Sequence, residues 1–142
     1  FIFSRFIVLS QFPNELVAWV KYHELAPWLI VLAMIALYFL LGTFLDEVST
    51  ILVTVPVVLP LMTSIGFDGV WFGIFVVLVV EMAEVSPPVG FNLFVLQTMS
   101  GLDSNTVARA SLPFFFLLVL AVAIITVFPW IVMVLPRMAF PT

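Results

Sequence analysis

Two carboxylates, Glu81 and Glu84, follow directly on the apolar run from Val70 to Val80. A spacing of three places them on one face of a helix. Acids at membrane depth face a cavity or a partner and serve function by default. They fit proton sites, cation attractors or partners of a basic residue elsewhere, and the residues alone do not choose among these. Immediately after them stands "EVSPPVGFN", residues 84 to 92, ahead of a second apolar run from Phe91 to Val95. Pro87 and Pro88 donate no backbone hydrogen bond, and Pro87 also pushes Ser86 out of the helical region. Gly90 reaches backbone angles closed to other residues and lets another chain approach. A helix broken here points one half's negative C-terminal end and the other half's positive N-terminal end into the membrane. Freed carbonyls beside the Ser86 hydroxyl suit Na⁺, and a helix N-terminus near Asn92 suits a carboxylate. The rival reading is a plain proline kink.

A second polar interruption, "GTFLDEVST", occupies residues 42 to 50. Gly42 is expected to end one arm, and Thr43 to cap the next through its hydroxyl. Asp46 and Glu47 then fall in the first turn, where the helix dipole favours negative charge. The rival here is an ordinary interhelical loop in water. His23, beside Glu24, reads as a surface residue rather than a ligand. There is no cysteine, so thiolate metal sites and a cysteine nucleophile are excluded. No Ser/His or paired-Asp constellation sits at one depth, and the chain is read as no enzyme.

The elements around these breaks are those of an all-α integral membrane protein. Of 142 residues, 65% are hydrophobic and only 8% charged, with a mean hydropathy of +1.36. A soluble domain needs more charge to cover its surface. The net charge of −4 is scattered, with no basic stripe for nucleic acid. Residues 1–10 read as the end of a helix, broken by Phe12, Pro13 and Asn14. Residues 14–22 read as an interfacial helix anchored by Trp19 and Tyr22. Residues 26–64 form an expected re-entrant hairpin of two half-length arms, the second carrying Pro56 and Pro60. Residues 70–99 form a discontinuous transmembrane helix, broken over 85–90. "SGLDSNT", 100 to 106, reads as a solvated loop. Residues 111–136 form the last transmembrane helix, with Pro113 at its start and Pro129 as a kink. Placing Arg109 on the cytoplasmic side puts the "SIGFDG" turn at 64–69 outside and lets the hairpin dip in from that face. With neither a basic start nor a cleavage site, the chain reads as the C-terminal piece of a longer membrane protein.

The order of motifs resembles one family. "GTFLD", the Pro-x-x-x-Pro of "PVVLP", the turn "IGFDGVWFG" and the break "SPPVGFNLF" are similar to the C-terminal repeat of the large membrane subunit of TRAP transporters, the DctM type. The likeness covers nearly the whole chain. It implies the C-terminal half of an inverted-repeat elevator transporter of the ion-transporter superfamily, multi-pass in a bacterial inner membrane. It also implies Na⁺-coupled uptake of an organic acid such as a C4-dicarboxylate, with no organic cofactor. The implied partners are a small membrane subunit of the DctQ type and a periplasmic binding protein of the DctP type, besides lipid. Carried over by motif, the Na⁺ ligands are Gly42, Ala83, Ser86 and Val89, mostly through carbonyls. Thr43, Asp46, Glu84, Pro87, Pro88, Gly90 and Asn92 lie in the vicinity of ion and substrate. Ser86 stands where Thr is usual and Ala83 where Gly is common. Glu84 replaces an apolar residue, which the resemblance does not explain. The alternatives are a scaffolding membrane fragment, or a carrier of the same superfamily that uses no binding protein.

Overall fold

The computed structural model describes residues 6–7, 9–87 and 90–139, and the described residues hold seven long helices and no strand. These are α1 (Phe12–Tyr22), α2 (Pro27–Phe44), α3 (Glu47–Ser64), α4 (Gly69–Glu84), α5 (Phe91–Ser100), α6 (Ser104–Val127) and α7 (Trp130–Ala139). Helices α2, α3 and α6 are each long and apolar enough to cross a membrane. Their outward faces carry Trp28, Leu32, Leu40, Leu52, Phe114, Phe116 and Leu120 in the open. Apolar side chains turned outward on spanning-length helices make this an integral membrane protein.

Helix α4 is apolar on every side from Val70 to Val80 and covered over most of its surface, with Val70, Ile74 and Val77 left exposed. Trp71, Phe72, Phe75, Val76, Val79, Val80 and Ala83 are all buried on it. Helices α2, α3 and α6 pack most extensively on α4 rather than on each other. The arms α2 and α3 are joined across the core by the Tyr38 and Thr54 hydroxyls, 3.0 Å apart. Each arm has 18 residues, about 27 Å at a rise of roughly 1.5 Å per residue. They are therefore longer than half-length arms, because helix α2 runs on through Gly42 to Phe44 and α3 begins already at Glu47.

Three boundaries differ from the sequence expectation. The first break falls at Gln11, which takes a left-handed φ of 56°, while Phe12, Pro13 and Asn14 already belong to α1. Pro13 is tolerated there because the first-turn N–H groups have no helical partner. Helix α6 begins at Ser104 inside the expected loop, since Asp103 caps it by accepting the Thr106 N–H at 3.1 Å. The Thr106 hydroxyl bonds the same carboxylate and holds its pKa below the ordinary aspartate value. Pro113 thus lies inside the helix rather than at its start. At the far end Pro129 splits the segment instead of bending it: α6 ends at Val127 and α7 starts at Trp130.

That split is tied to the core. Proline has no N–H for the Ile125 carbonyl four residues earlier. The indole of buried Trp71 donates to that carbonyl at 2.8 Å instead. Near its start, α6 presents Val107 and Ala108 to Leu93, Phe94 and Gln97 of α5. One continuous helix therefore runs alongside both α5 and α4 and bridges the gap between them.

Replacing Trp71 with Phe keeps the ring but strands the Ile125 carbonyl. The expected loss is about 1–3 kcal/mol of stability, read as a lower thermal midpoint of the full-length protein in detergent. The loss should shrink when Pro129→Ala restores a backbone donor, and an equal loss in both backgrounds would refute the role given to the indole.

Candidate functional site

The hairpin tip is built by two helix ends. Leu45 is extended, and its N–H closes α2 on the Leu41 carbonyl at 2.8 Å. Asp46 then caps α3 by accepting the Ser49 N–H at 3.0 Å. Thr43 does not cap: it is itself helical, and its hydroxyl turns back to the Phe39 carbonyl at 2.8 Å. Among the described residues no backbone N–H donates to the carbonyls of Gly42, Thr43 or Phe44.

The break is made by the missing donors of the prolines. Val85 N–H reaches the Glu81 carbonyl at 3.1 Å, and Ser86 N–H the Ala83 carbonyl at 3.2 Å. The Ser86 hydroxyl donates to the same Ala83 oxygen at 2.7 Å. The chain then returns so tightly that Gly90 donates to the Ser86 carbonyl at 2.9 Å. A Cβ on Gly90 would lie 2.0 Å from the Glu84 carbonyl oxygen, so only glycine fits. Helix α5 starts at Phe91 with no side-chain cap. Its Phe91, Asn92 and Leu93 N–H groups have no backbone acceptor among the described residues, as first-turn donors do not. Pro88 and Val89, both named from the sequence, lie outside the described residues.

Tip and break touch. A Cβ on Gly42 would come 2.8 Å from Ala83 Cβ and 3.3 Å from the Val80 carbonyl oxygen. The contact sets the negative C-terminal end of α2 beside that of α4. On the other side, Thr43 and Gly90 line one cavity of about 240 Å³ with Phe91, Phe94 and Gln97. Gly42, Thr43, Ala83, Ser86, Gly90 and Asn92 are thus brought to one level. Asp46 is exposed at the tip, and Pro87 is half-buried in the break.

Two polar atoms in this region are buried without a partner among the described residues, Thr50 Oγ1 and Glu84 Oε1. Glu84 is only 3% exposed. The carboxylates of Glu81, Glu47 and Asp46 all act on it, the Asn92 amide lies beside it, and among the described residues no basic side chain does. The sequence marked Glu47 only as a first-turn acid and passed over Thr50. A tip lying level with the break was the signal needed, and it is a tertiary fact.

What the two ends could hold is a hard cation, bound through oxygen atoms. Two helix ends offer carbonyls, and no cluster of three His, Cys, Asp or Glu among the described residues could hold a metal by side chains alone. Ala83 fits least well as it stands, since its oxygen already accepts from both Ser86 donors.

Comparison with known proteins places residues 1–131 within the family described as Tripartite ATP-independent periplasmic transporter, DctM component. The C4-dicarboxylate TRAP transporter large permease protein DctM of Pseudomonas aeruginosa is 30% identical over 136 residues, covering 96% of this chain and 32% of that protein. The ectoine TRAP transporter large permease protein TeaC of Halomonas elongata is 32% identical, covering 97% of this chain and 32% of the relative. The sialic acid TRAP transporter large permease protein SiaM of Vibrio cholerae is 27% identical, again covering 96% and 32%. The chain spans about a third of the length of these relatives.

The glycines give a graded test of the tip–break contact. Overpacking of this kind destabilises by about 1–3 kcal/mol. Gly90→Ala, blocked by backbone, should be most damaging, and Gly42→Ala intermediate. Gly73→Ala, with open space around it, should be silent. Thermal unfolding of the three full-length variants should give that order, and a harmless Gly90→Ala would refute the close return.

Proposed function

Because the chain belongs to the DctM-component family of the tripartite ATP-independent periplasmic transporters, we propose that it is the C-terminal part of the large membrane subunit of a Na⁺-coupled organic-acid carrier. The contact of Gly42 with Ala83 carries this reading. It sets two negative helix ends together for a cation and leaves the positive end of α5 beside them for a carboxylate.

Gly42 and its neighbours Thr43 and Phe44 would hold Na⁺ through free tip carbonyls, with Ser86 and the carbonyls of the break opposite. Bound there, Na⁺ supplies the positive charge that these converging carbonyls lack. The Phe91, Asn92 and Leu93 N–H groups would orient the substrate carboxylate. The names of the three relatives cover a C4-dicarboxylate, a sialic acid and ectoine, so the proposed substrate stays an organic acid, C4-dicarboxylates among the candidates.

The hairpin is read as re-entrant. Its tip stops level with the break, and α5 continues for 10 residues, about 15 Å at the usual helical rise. A tip at that level supports the re-entrant reading. The rest of the reading is an elevator carrier of two inverted repeats in a bacterial inner membrane. A small membrane subunit and a periplasmic binding protein would complete it.

Full-length protein reconstituted with its small subunit and binding protein should take up an organic acid only when Na⁺ is present. Ser86→Ala should raise the Na⁺ half-saturation about tenfold, equivalent to roughly 1.4 kcal/mol of lost contact. Uptake indifferent to Na⁺ would sink the coupling. Pro27→Cys and Ser64→Cys should both be labelled from the same face of the membrane. Labelling from opposite faces would make the arms two ordinary spans.

A further inference from the structure

Four acids lie around the tip and the break, and their surroundings differ. Asp46 is exposed and already accepts the Ser49 N–H. Glu47 starts α3, where the helix dipole favours it. Glu81 is half-buried and lines an apolar crevice with Leu93, Leu96 and Phe114. Glu84 has none of these outlets. It ends α4, so the negative end of its own helix opposes its charge. It is 3% exposed, its Oε1 has no partner among the described residues, the charges of Glu81, Glu47 and Asp46 oppose its own, and among the described residues only the neutral Asn92 amide offsets it. A buried, unpaired carboxylate is not tolerated unless something positive or a proton donor meets it.

The position narrows what that something is. Glu84 is the residue whose carbonyl receives the close return of Gly90, and it directly follows Ala83, against which Gly42 packs. Glu84 is also one helical turn on from Val80, whose carbonyl and side chain meet Gly42, so it stands on the face of α4 turned toward the tip. A monovalent cation with oxygen ligands suits both the carbonyls and a single carboxylate.

We propose that Glu84 is a direct ligand of the cation held between the hairpin tip and the helix break, adding a negative charge to a site otherwise built from neutral carbonyls and a hydroxyl. This rests on the transport reading above and gives that site an anionic ligand. The carboxylate offsets the cation's charge, so binding is tight despite the apolar surroundings. Without the cation its charge stands uncompensated, and the tip and break should loosen.

The test uses the full-length protein in detergent and two readouts that need no transport. In the wild type, NaCl should raise the thermal midpoint relative to choline chloride. NaCl should also slow modification of Glu84 by dicyclohexylcarbodiimide, followed by mass spectrometry, while modification of Glu81 proceeds as before. In Glu84→Gln the Na⁺ concentration giving half of the thermal stabilisation should rise about tenfold or more. Glu84→Asp, which keeps the charge on a shorter arm, should fall between the two. Na⁺ stabilisation unchanged in Glu84→Gln, together with modification of Glu84 that Na⁺ does not slow, would overturn the assignment and leave the carrier reading intact. Wild type that shows no response to Na⁺ in either readout, and no Na⁺-dependent uptake, would remove the coupling itself. Protection by Ca²⁺ but not by Na⁺ would also overturn the proposal. If Glu84→Gln does not fold, the wild-type modification rates still decide.

Discussion

A backbone carbonyl or N–H left without a partner in an apolar medium costs several kcal/mol, and this chain frees such groups at two places on one level. The end of α2 leaves the Gly42, Thr43 and Phe44 carbonyls without backbone donors among the described residues, and the prolines after Ser86 do the same at the end of α4. Neither place would be tolerable facing lipid. The close fit of Gly42 on Ala83 brings them together, so each is shielded by the other, beside a cavity that Thr43 and Gly90 line. Helix lengths, the bare start of α5 and the burial of Glu84 follow from keeping that contact.

The contact needs a frame that does not give way at the break. Helix α6 supplies it by running without interruption past both α5 and α4. Its own discontinuity is displaced to Pro129, at the far end from the site, where the Trp71 indole satisfies the carbonyl that proline strands. The Trp71 ring also stacks on Phe67 and Phe75, with centroids 4.6 and 5.1 Å away. The entry of α4 is thus fixed by aromatic packing, while its exit is left polar and unpaired. Close packing is thus gathered at one end of α4 and unsatisfied groups at the other.

Charge is distributed to the same end. Asp46 and Glu47 sit at the start of α3, where the dipole welcomes them, whereas Glu84 sits at the end of α4, where it does not. A carboxylate placed against its helix dipole, buried and without a base among the described residues, is a conflict between local and global preferences. Such conflicts are expected at functional sites.

Much of this was legible along the chain. Hydropathy, the absence of a basic stripe and the two polar interruptions determine a membrane protein with a hairpin and a broken helix, because prolines and glycines act on their own neighbours. The Pro87–Pro88 pair forces a break wherever it stands, and the DctM likeness rests on the same local motifs. Boundaries were less legible: Asp103 starts α6 eight residues before the apolar run at Leu112 begins to look like a span, and Thr43 gives its hydroxyl to its own helix while Asp46 does the capping. Caps of this kind depend on which of several nearby oxygens reaches a free N–H, and a string of residues does not rank them. Only the tertiary structure decided that Gly42 meets Ala83, that Gly90 returns onto Glu84, and that Glu47 of the tip comes near the same carboxylate as Glu81. The Gly42–Ala83 contact and the approach of Glu47 to Glu84 join positions about forty residues apart, and they exist because both arms of the hairpin pack on α4.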